Sequence, residues 1–552
     1  MNVFFNACLA ALLGLAGSAC ARAAEKIMDE RELLERPDEL RQAYASEPFL
    51  LLRASAMEKF MPAELPADAE ERIGAPIRIL CARNEAESVQ VLIVPTVAGL
   101  EEVRARVEWD DEAEDLPFEL FQVGRVNVPN PSVVGFQKPG LWPDPLYPHE
   151  ATFKINAGEQ ESLWLTVRPG ADTAPGLRTG RLTVEADGAG AALPLEVMIA
   201  RTTLPTIPRL QTFLTVYDGM AFYHDRWPEA LGAMIGILEK NRYSYPGTAF
   251  PFEPENLDAE ETDWSNFDAS FERALSVGQT AVRWPLHICN SSPDPEVCNR
   301  RYRKLRDHLA EKGWLDYTFI YDFDEPQPGT FAQWAEYCRK IQAAAPGVRI
   351  LLTQNYSPEF ENLNMIWCPA NTWLDDTPRM RAIKDRVDAG DGTFWIYNCE
   401  NTRTTFHPDS WRIDWYGTGH RALGTMLWKY GATGYLYWNS SYWCDYSSNT
   451  PKNMYENPDV IPHADSVPRN GDGFLLYPDP EGRRMPFPSM RLELNRDGFE
   501  DYELFALYCD LTGDDLGGAM NYLLPAGDNY SKDPRAYEEL HDRVLEYLDA
   551  NL

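Results

Sequence analysis

The chain is poor in positive charge. Its 51 Lys and Arg face 85 Asp and Glu, a net charge of −34. A protein that follows a phosphate backbone or an anionic bilayer needs a basic face, so this balance excludes nucleic acid as a partner. The acids name no ligand by themselves, because most acidic side chains simply solvate a surface. Metal and redox motifs are also missing. None of the ten cysteines forms a C-x-x-C, which removes the zinc-ribbon and thioredoxin patterns. Cys289 and Cys298 are close enough for a loop disulfide, but buried thiols are common and the spacing alone assigns none. The eight histidines contain no H-E-x-x-H, and no G-x-S-x-G nucleophile elbow occurs. No metal and no cofactor is expected.

Long apolar runs are lacking too, except at the start. Ala7 to Ala16 form a short apolar stretch followed by small residues, with Ala19-Cys20-Ala21 and Ala21-Arg22-Ala23 as cleavage signals. Residues 1–24 therefore read as a signal peptide, although "MNVFFN" lacks Lys and Arg. The expected location is periplasmic or extracellular. Lipid anchoring through Cys20 is an alternative, weakened because "LAGSAC" has no Leu three residues before the Cys. No later segment is apolar enough to suggest a transmembrane helix.

Aromatics are abundant: 12 % of the chain, with 16 Trp and 26 Tyr. They supply a core and also flat faces for stacking rings. The 552 residues leave room for several domains. Residues 25–70 are charged and helix-biased. From 71 to 204 short β-rich runs such as "SVQVLIVP", "ESLWLTVRP" and "LPLEVMIA" alternate with turn residues, the pattern of a β-sandwich. The Pro-rich "RTTLPTIPRL" reads as a linker. Residues 205–490 then alternate strands with helices, and this length favours a (β/α)8 TIM-type barrel. Seven strands are readable: 211–217, 280–286, 316–323, 348–354, 364–369, 392–398 and 433–439. An eighth lies near 241–247. Residues 491–552 read as a helical C-terminal region.

One stretch carries chemistry. "WLDYTFIYDFDEPQPG" ends a strand in Asp322, Asp324 and Glu325, followed by Pro326. Active sites of such barrels lie at the C-terminal strand ends. Alternation places Asp322 and Asp324 on one face and Glu325 on the other, so the strand must end or bulge for Asp324 and Glu325 to converge. Crowded carboxyls raise one another's pKa, and a protonated carboxyl is a general acid. Taken alone, the segment reads more readily as an acidic turn after a strand, or a cation site, than as a catalytic site. Other strand ends offer Asn355, Trp373, Tyr397 and Asn398. "GYLYWNSSYWCDY" offers Trp438, Tyr442, Trp443 and Tyr446 as walls for a sugar ring, or as core. Its N-x-S sequon at Asn439 has little weight. "GTGHRALG" matches a dinucleotide fingerprint, but no strand precedes it.

Together these segments resemble glycoside hydrolase family 123 and its relatives of unassigned function. "CARNEAESVQVLIVP" and "GLWPDPLYP" resemble that family's N-terminal sandwich, and "FIYDFDEP" its catalytic Asp-Glu-Pro. "TGYLYWNSSYW", "NGDGFLLYPD" and "RLELNRDGFEDYELF" resemble its barrel end and C-terminal region. The resemblance implies a retaining, substrate-assisted β-N-acetylgalactosaminidase. In it Asp324 steadies the 2-acetamido group, Glu325 is general acid and base, and Trp438, Asn439 and Trp443 line the sugar subsite. Asp322 is a further substrate-side candidate that the motif does not explain. Two alternatives stay open: a glycosidase on a sugar without the acetamido group, and a non-catalytic carbohydrate-binding protein.

Overall fold

The computed structural model describes residues 33–552, except 111–115, 133–137, 217–219, 246–253, 255, 286–287, 289–293, 400–406, 462–466 and 480. The signal-peptide reading of residues 1–24, Cys20 and Cys289 lie outside the described residues.

Ten strands form two facing sheets. One holds β1 (Phe49–Ser55), β3 (Glu87–Pro95), β8 (Glu161–Val167), β5 (Phe118–Val128) and β6 (Gly140–Pro148), in that spatial order. The other holds β2 (Ile77–Arg83), β10 (Ala189–Thr203), β9 (Gly176–Ala186), β4 (Leu100–Trp109) and β7 (Phe153–Ile155). Alternate side chains such as Leu51, Val91, Ile93, Leu182 and Val197 meet between the sheets.

The helical expectation for 25–70 is corrected here. Among the described residues of this segment only Pro37–Ala43 and Ala69–Arg72 are helical, and Phe49–Ser55 is strand β1, paired antiparallel with β3. The reason is burial on both faces. Phe49 and Leu51 point into the sandwich, while Leu50 and Leu52 pack under Leu40, Phe60 and Leu65. A run buried on two sides has no helical stripe to betray it.

Beyond the linker the strands are parallel and short. A five-stranded sheet runs β11 (Gln211–Leu214), β17 (Gly434–Tyr437), β16 (Thr393–Asn398), β15 (Met365–Trp367), β14 (Ile350–Leu352). A separate pair joins β12 (Val282–Arg283) to β13 (Thr318–Phe319). Instead of one continuous eight-stranded sheet, the fold thus has two parallel pieces bridged at single residues. Ile320 bridges Ile350, and Ser244 bridges Phe213. Helices α1 (Trp227–Lys240), α2 (Ser265–Ser276), α3 (Pro295–Glu311), α4 (Phe331–Ala344), α5 (Thr377–Asp388) and α6 (Thr418–Tyr430) alternate with these strands. One inward layer joins Phe213, Ala281, Phe319, Leu351, Ile366, Trp395 and Leu436. Six of the parallel strands each give it one residue, so all six face a common interior.

Helix α7 (Met490–Thr512) carries "RLELNRDGFEDYELF" and is buried along its first 17 residues, Met490 to Ala506. Charges survive there because they are ion-paired or, at Glu503, held by the Arg209 and Leu210 amides. Arg491 meets Asp144 on β6 at 2.9 Å, Glu493 meets Arg168 at 3.0 Å, and Asp501 meets Arg421 on α6 at 2.8 Å. The helix therefore locks the sandwich to the parallel sheets. A last helix, α8 (Pro534–Asn551), adds His541, which pairs with Glu85 at 3.1 Å.

Candidate active site

The layer above Phe319, Leu351, Trp395 and Leu436 is reached by stepping two residues along each strand. Those residues are Tyr321, Thr353, Tyr397 and Trp438. Period-two alternation keeps them on the same side as the layer below, at the C-terminal mouth.

The carboxylate pair sits on this layer. β13 stops at Phe319 and the alternation that continues through Tyr321 and Asp322 is lost at Phe323, so residues 323–325 are not held to strand geometry. Glu325 adopts φ +40°, a left-handed conformation that costs a non-glycine residue free energy. That kink is how neighbours with opposite strand facings come to one side. The Glu325 amide donates to Thr353 Oγ1 at 2.8 Å, which fixes the kink. The Thr353 hydroxyl in turn donates to Asp324 Oδ1 at 2.7 Å. Tyr321 adds its hydroxyl to the same oxygen at 2.6 Å. Glu325 is held separately, by the Tyr397 hydroxyl on Oε1 at 2.7 Å. Both carboxylates remain exposed, whereas Thr353 is buried.

The two phenols are locked as donors. Burial pushes the Tyr321 hydroxyl well above its ordinary pKa, and the Asp324 charge adds to the shift. Burial does the same to Tyr397, reinforced by Cys399 and Glu325. Arg283 steadies Tyr321 from behind, with its guanidinium 5.2 Å from the ring centroid and a hydrogen bond to the Tyr321 carbonyl.

Asp322 is not part of this group. It accepts the Tyr337 hydroxyl of α4 at 2.6 Å, next to Phe323, which stacks on Trp334 of the same helix at 4.4 Å. Asp322 thus faces the supporting helix, as alternation after the inward Phe319 and Tyr321 requires, and alternation is lost only at Phe323, which packs on that same helix. Burial raises its pKa, opposed by the Tyr337 bond and by Arg283.

The other expected residues divide. Tyr397 and Trp438 stand in the mouth layer. Asn355 follows Thr353 by two, is 5 % exposed, and its side-chain amide has no hydrogen-bond partner among the described residues. Trp373 lies in the single turn Asn371–Trp373 with the Arg379 guanidinium 5.5 Å from its ring. Trp443 is only 1 % exposed, its indole N–H donates to Leu476 O at 2.8 Å, and Phe222 and Tyr223 pack against it. Its faces are taken by protein, so it is core and not a sugar wall. Asn439 is fully buried and accepts the Ser441 amide at 2.8 Å, a placement closed to a glycan on the sequon. The Gly417–Gly419 match serves packing: a Cβ at Gly417 would lie 2.3 Å from the Met57 carbonyl. Tyr321 and Thr353 were not legible as site residues. Their signal was position, two residues beyond an apolar strand residue.

Comparison with known proteins follows the same outline. Residues 292–508 match the family model of the glycoside hydrolase 123 catalytic domain. No curated protein sequence matches the chain. Among solved structures, a family 123 glycoside hydrolase from Clostridium perfringens, described for glycolipid glycan hydrolysis, aligns with 91 % of this chain and 98 % of its own. The TM-score is 0.62 at 13 % identity, a likeness of fold. A β-glucuronidase from Parabacteroides merdae aligns with 76 % of this chain and 50 % of its own at 10 % identity, with a TM-score of 0.27 that carries no argument. The matched segment begins just before α3, contains Asp324, Glu325, Thr353, Tyr397 and Trp438, and ends within α7. Residues 292–508 thus match a glycoside hydrolase 123 catalytic domain, set in a chain whose fold is like that of the Clostridium perfringens enzyme.

Proposed function

We propose that the protein is a retaining, substrate-assisted β-N-acetylhexosaminidase acting on β-linked N-acetylgalactosamine. One observation carries the reading. The adjacent carboxylates are held by different donors, and both donors to Asp324 fall on Oδ1. Asp324 Oδ2 is then the oxygen that accepts a substrate acetamido N–H. Glu325, positioned by the Tyr397 hydroxyl on Oε1, is the carboxyl placed to serve the glycosidic bond.

The steps balance. Glu325 donates its proton to the leaving oxygen as the C1–O bond breaks. The acetamido oxygen attacks C1 and forms an oxazolinium, whose N–H charge Asp324 offsets. Glu325, now ionised, takes a proton from water as that water attacks C1 and the C1–acetamido bond breaks. Two inversions give retention. We read the surrounding sheets as a (β/α)8 barrel with one strand reduced to Ser244, which is supported by its hydroxyl accepting the Thr280 and Ala281 amides at 3.0 and 3.2 Å. Export, through the signal-like residues 1–24, suits a glycoconjugate substrate.

The test is a side-by-side assay of aryl β-GalNAc, β-GlcNAc and β-Gal. Preferred release from β-GalNAc, abolished by Glu325→Gln, is expected. Equal turnover of β-Gal, or a trapped covalent glycosyl-enzyme, would overturn substrate assistance.

A further inference from the structure

Three aromatic rings continue from the mouth into solvent, and hydrolysis of an aryl glycoside needs only the first. Trp438 is fixed on the mouth layer by its indole N–H, which donates to Asp472 Oδ1 at 2.9 Å. Gly473 lies against its ring: a Cβ there would sit 2.5 Å from Trp438 Cζ2, so the chain passes beneath with no side chain. Tyr442 follows, 5.5 Å from Trp438 between centroids and tilted 49°. Tyr446 is next, 5.8 Å from Tyr442 and tilted 45°, and 58 % exposed. The backbone beneath them is tied down. The Tyr442 amide donates to Gly473 O at 2.9 Å and the Tyr446 amide to Val460 O at 3.0 Å. Asp445 Oδ1 accepts the amides of Ser447 and Ser448 at 3.1 Å. Rings held this way lose little freedom on meeting a ligand.

The ladder has a direction. Asp324 is held from β13 and β14 through Tyr321 and Thr353. Glu325 is held from β16 through Tyr397. Trp438 extends β17, which pairs with β16 through Tyr397–Leu436 and Asn398–Tyr437. The rings therefore start on the Glu325 side, away from the supports of Asp324. Glu325 protonates the leaving oxygen, so the leaving group departs over Trp438.

We infer that Tyr442 and Tyr446 form subsites for the leaving-group portion of an oligosaccharide, stacking the sugars that follow the cleaved residue. Pyranose faces offer C–H groups to aromatic rings, and an exposed tyrosine in a fixed orientation suits them. The inference rests on the proposed hydrolysis for its polarity.

The test uses the full chain and an oligosaccharide of three or more sugars ending in non-reducing β-GalNAc. Tyr446→Ala is expected to lower kcat/KM on that glycan about fivefold to tenfold, while turnover of aryl β-GalNAc, whose leaving group is too short to reach Tyr446, stays unchanged. Tyr446→Phe keeps the ring and should match wild type. The glycan is also titrated by calorimetry against Glu325→Gln protein, with and without Tyr446→Ala, and the same loss of affinity is expected. Unchanged kinetics on the glycan, or equal losses on both substrates, overturns the subsites. If wild type cleaves neither substrate, the hydrolytic reading fails, and the titration alone decides: binding that depends on Tyr446 supports the ladder, and binding that does not, or no binding, removes it.

Discussion

The Thr353 hydroxyl donates to Asp324 across 2.7 Å. Its oxygen already accepts the Glu325 amide, so its single proton has one direction left. One buried side chain thereby sets the backbone kink of one carboxylate and the rotamer of the other.

Thr353→Val removes both bonds while keeping shape. Loss of alignment at reacting atoms costs up to about 100-fold in rate, and here kcat is expected to fall roughly 10- to 100-fold with KM little changed. Thr353→Ser, which retains the hydroxyl, should recover most of the loss. A sharper readout is the rate ratio between N-acetyl and N-trifluoroacetyl aryl glycosides. With Asp324 loosened, a weak acetamido nucleophile suffers more, so the ratio should grow in Thr353→Val. An unchanged ratio would leave Thr353 a packing residue.

Asp322 gives the opposite expectation. Its carboxylate faces α4, so Asp322→Asn, which still accepts from Tyr337, should keep aryl β-GalNAc turnover within about threefold. Asp322→Ala removes the acceptor of the Tyr337 hydroxyl and should cost about 1–2 kcal/mol in urea unfolding. The raised pKa of Asp322 means that the folded chain holds this proton more tightly than the unfolded chain does. Stability from this group therefore falls as pH rises through the acid range, a slope that the Asn variant should lack.

How much of this the sequence discloses depends on whether the information is local. Asp324, Glu325 and Pro326 are adjacent, so a strand running into carboxylates is visible at once. Thr353 is 29 residues from Asp324, Tyr397 is 72 from Glu325, and neither local pattern names its partner. They become legible only when Leu351 and Trp395 are recognised as one inward layer, which requires the register between strands. Helix α7 misleads for a related reason. Arg491, Glu493 and Asp501 look like solvent-facing charge, yet their partners Asp144, Arg168 and Arg421 come from distant segments. Trp438 and Trp443 have the same local setting, and only the packing of Phe222 and Tyr223 separates mouth from core.

Lys59 supplies a pH test of the junction between the domains. It is 3 % exposed, and its ammonium donates to Ile413 O at 2.9 Å and lies 3.3 Å from His420 Nε2. His420 Nδ1 is 2.8 Å from the Asp409 carbonyl, an acceptor only, so Nδ1 carries the proton and Nε2 accepts from Lys59. Burial lowers the Lys59 pKa to about 8 from 10.5, against the pull of Asp144. Between these values the unfolded chain binds the proton and the folded chain releases it, so stability from this group rises with pH there. Lys59→Met removes the effect. Its stability advantage over wild type should be largest near pH 7, on the order of 3 kcal/mol before lost hydrogen bonds are counted, and should shrink towards pH 10. Guanidinium unfolding at several pH values measures it, and a pH-independent difference would refute the assignment.

Arg491 and Asp144 are both fully buried, 2.9 Å apart, and join α7 to β6. Arg491 also donates to the carbonyls of Trp411, Gly471 and Phe474 at 2.8, 3.0 and 2.8 Å. Those last two carbonyls flank Asp472 and Gly473, the residues that seat Trp438. Arg491→Met strands a buried carboxylate, a defect of about 3–5 kcal/mol. Adding Asp144→Leu removes the stranded charge and should return much of that stability. It cannot return the three carbonyl bonds. The double variant should therefore unfold near wild type yet bind the β-GalNAc oligosaccharide more weakly, because the floor under Trp438 has lost its anchor. Denaturant midpoints paired with calorimetric glycan affinity separate the two effects. Full recovery of both would mean that Arg491 serves stability alone.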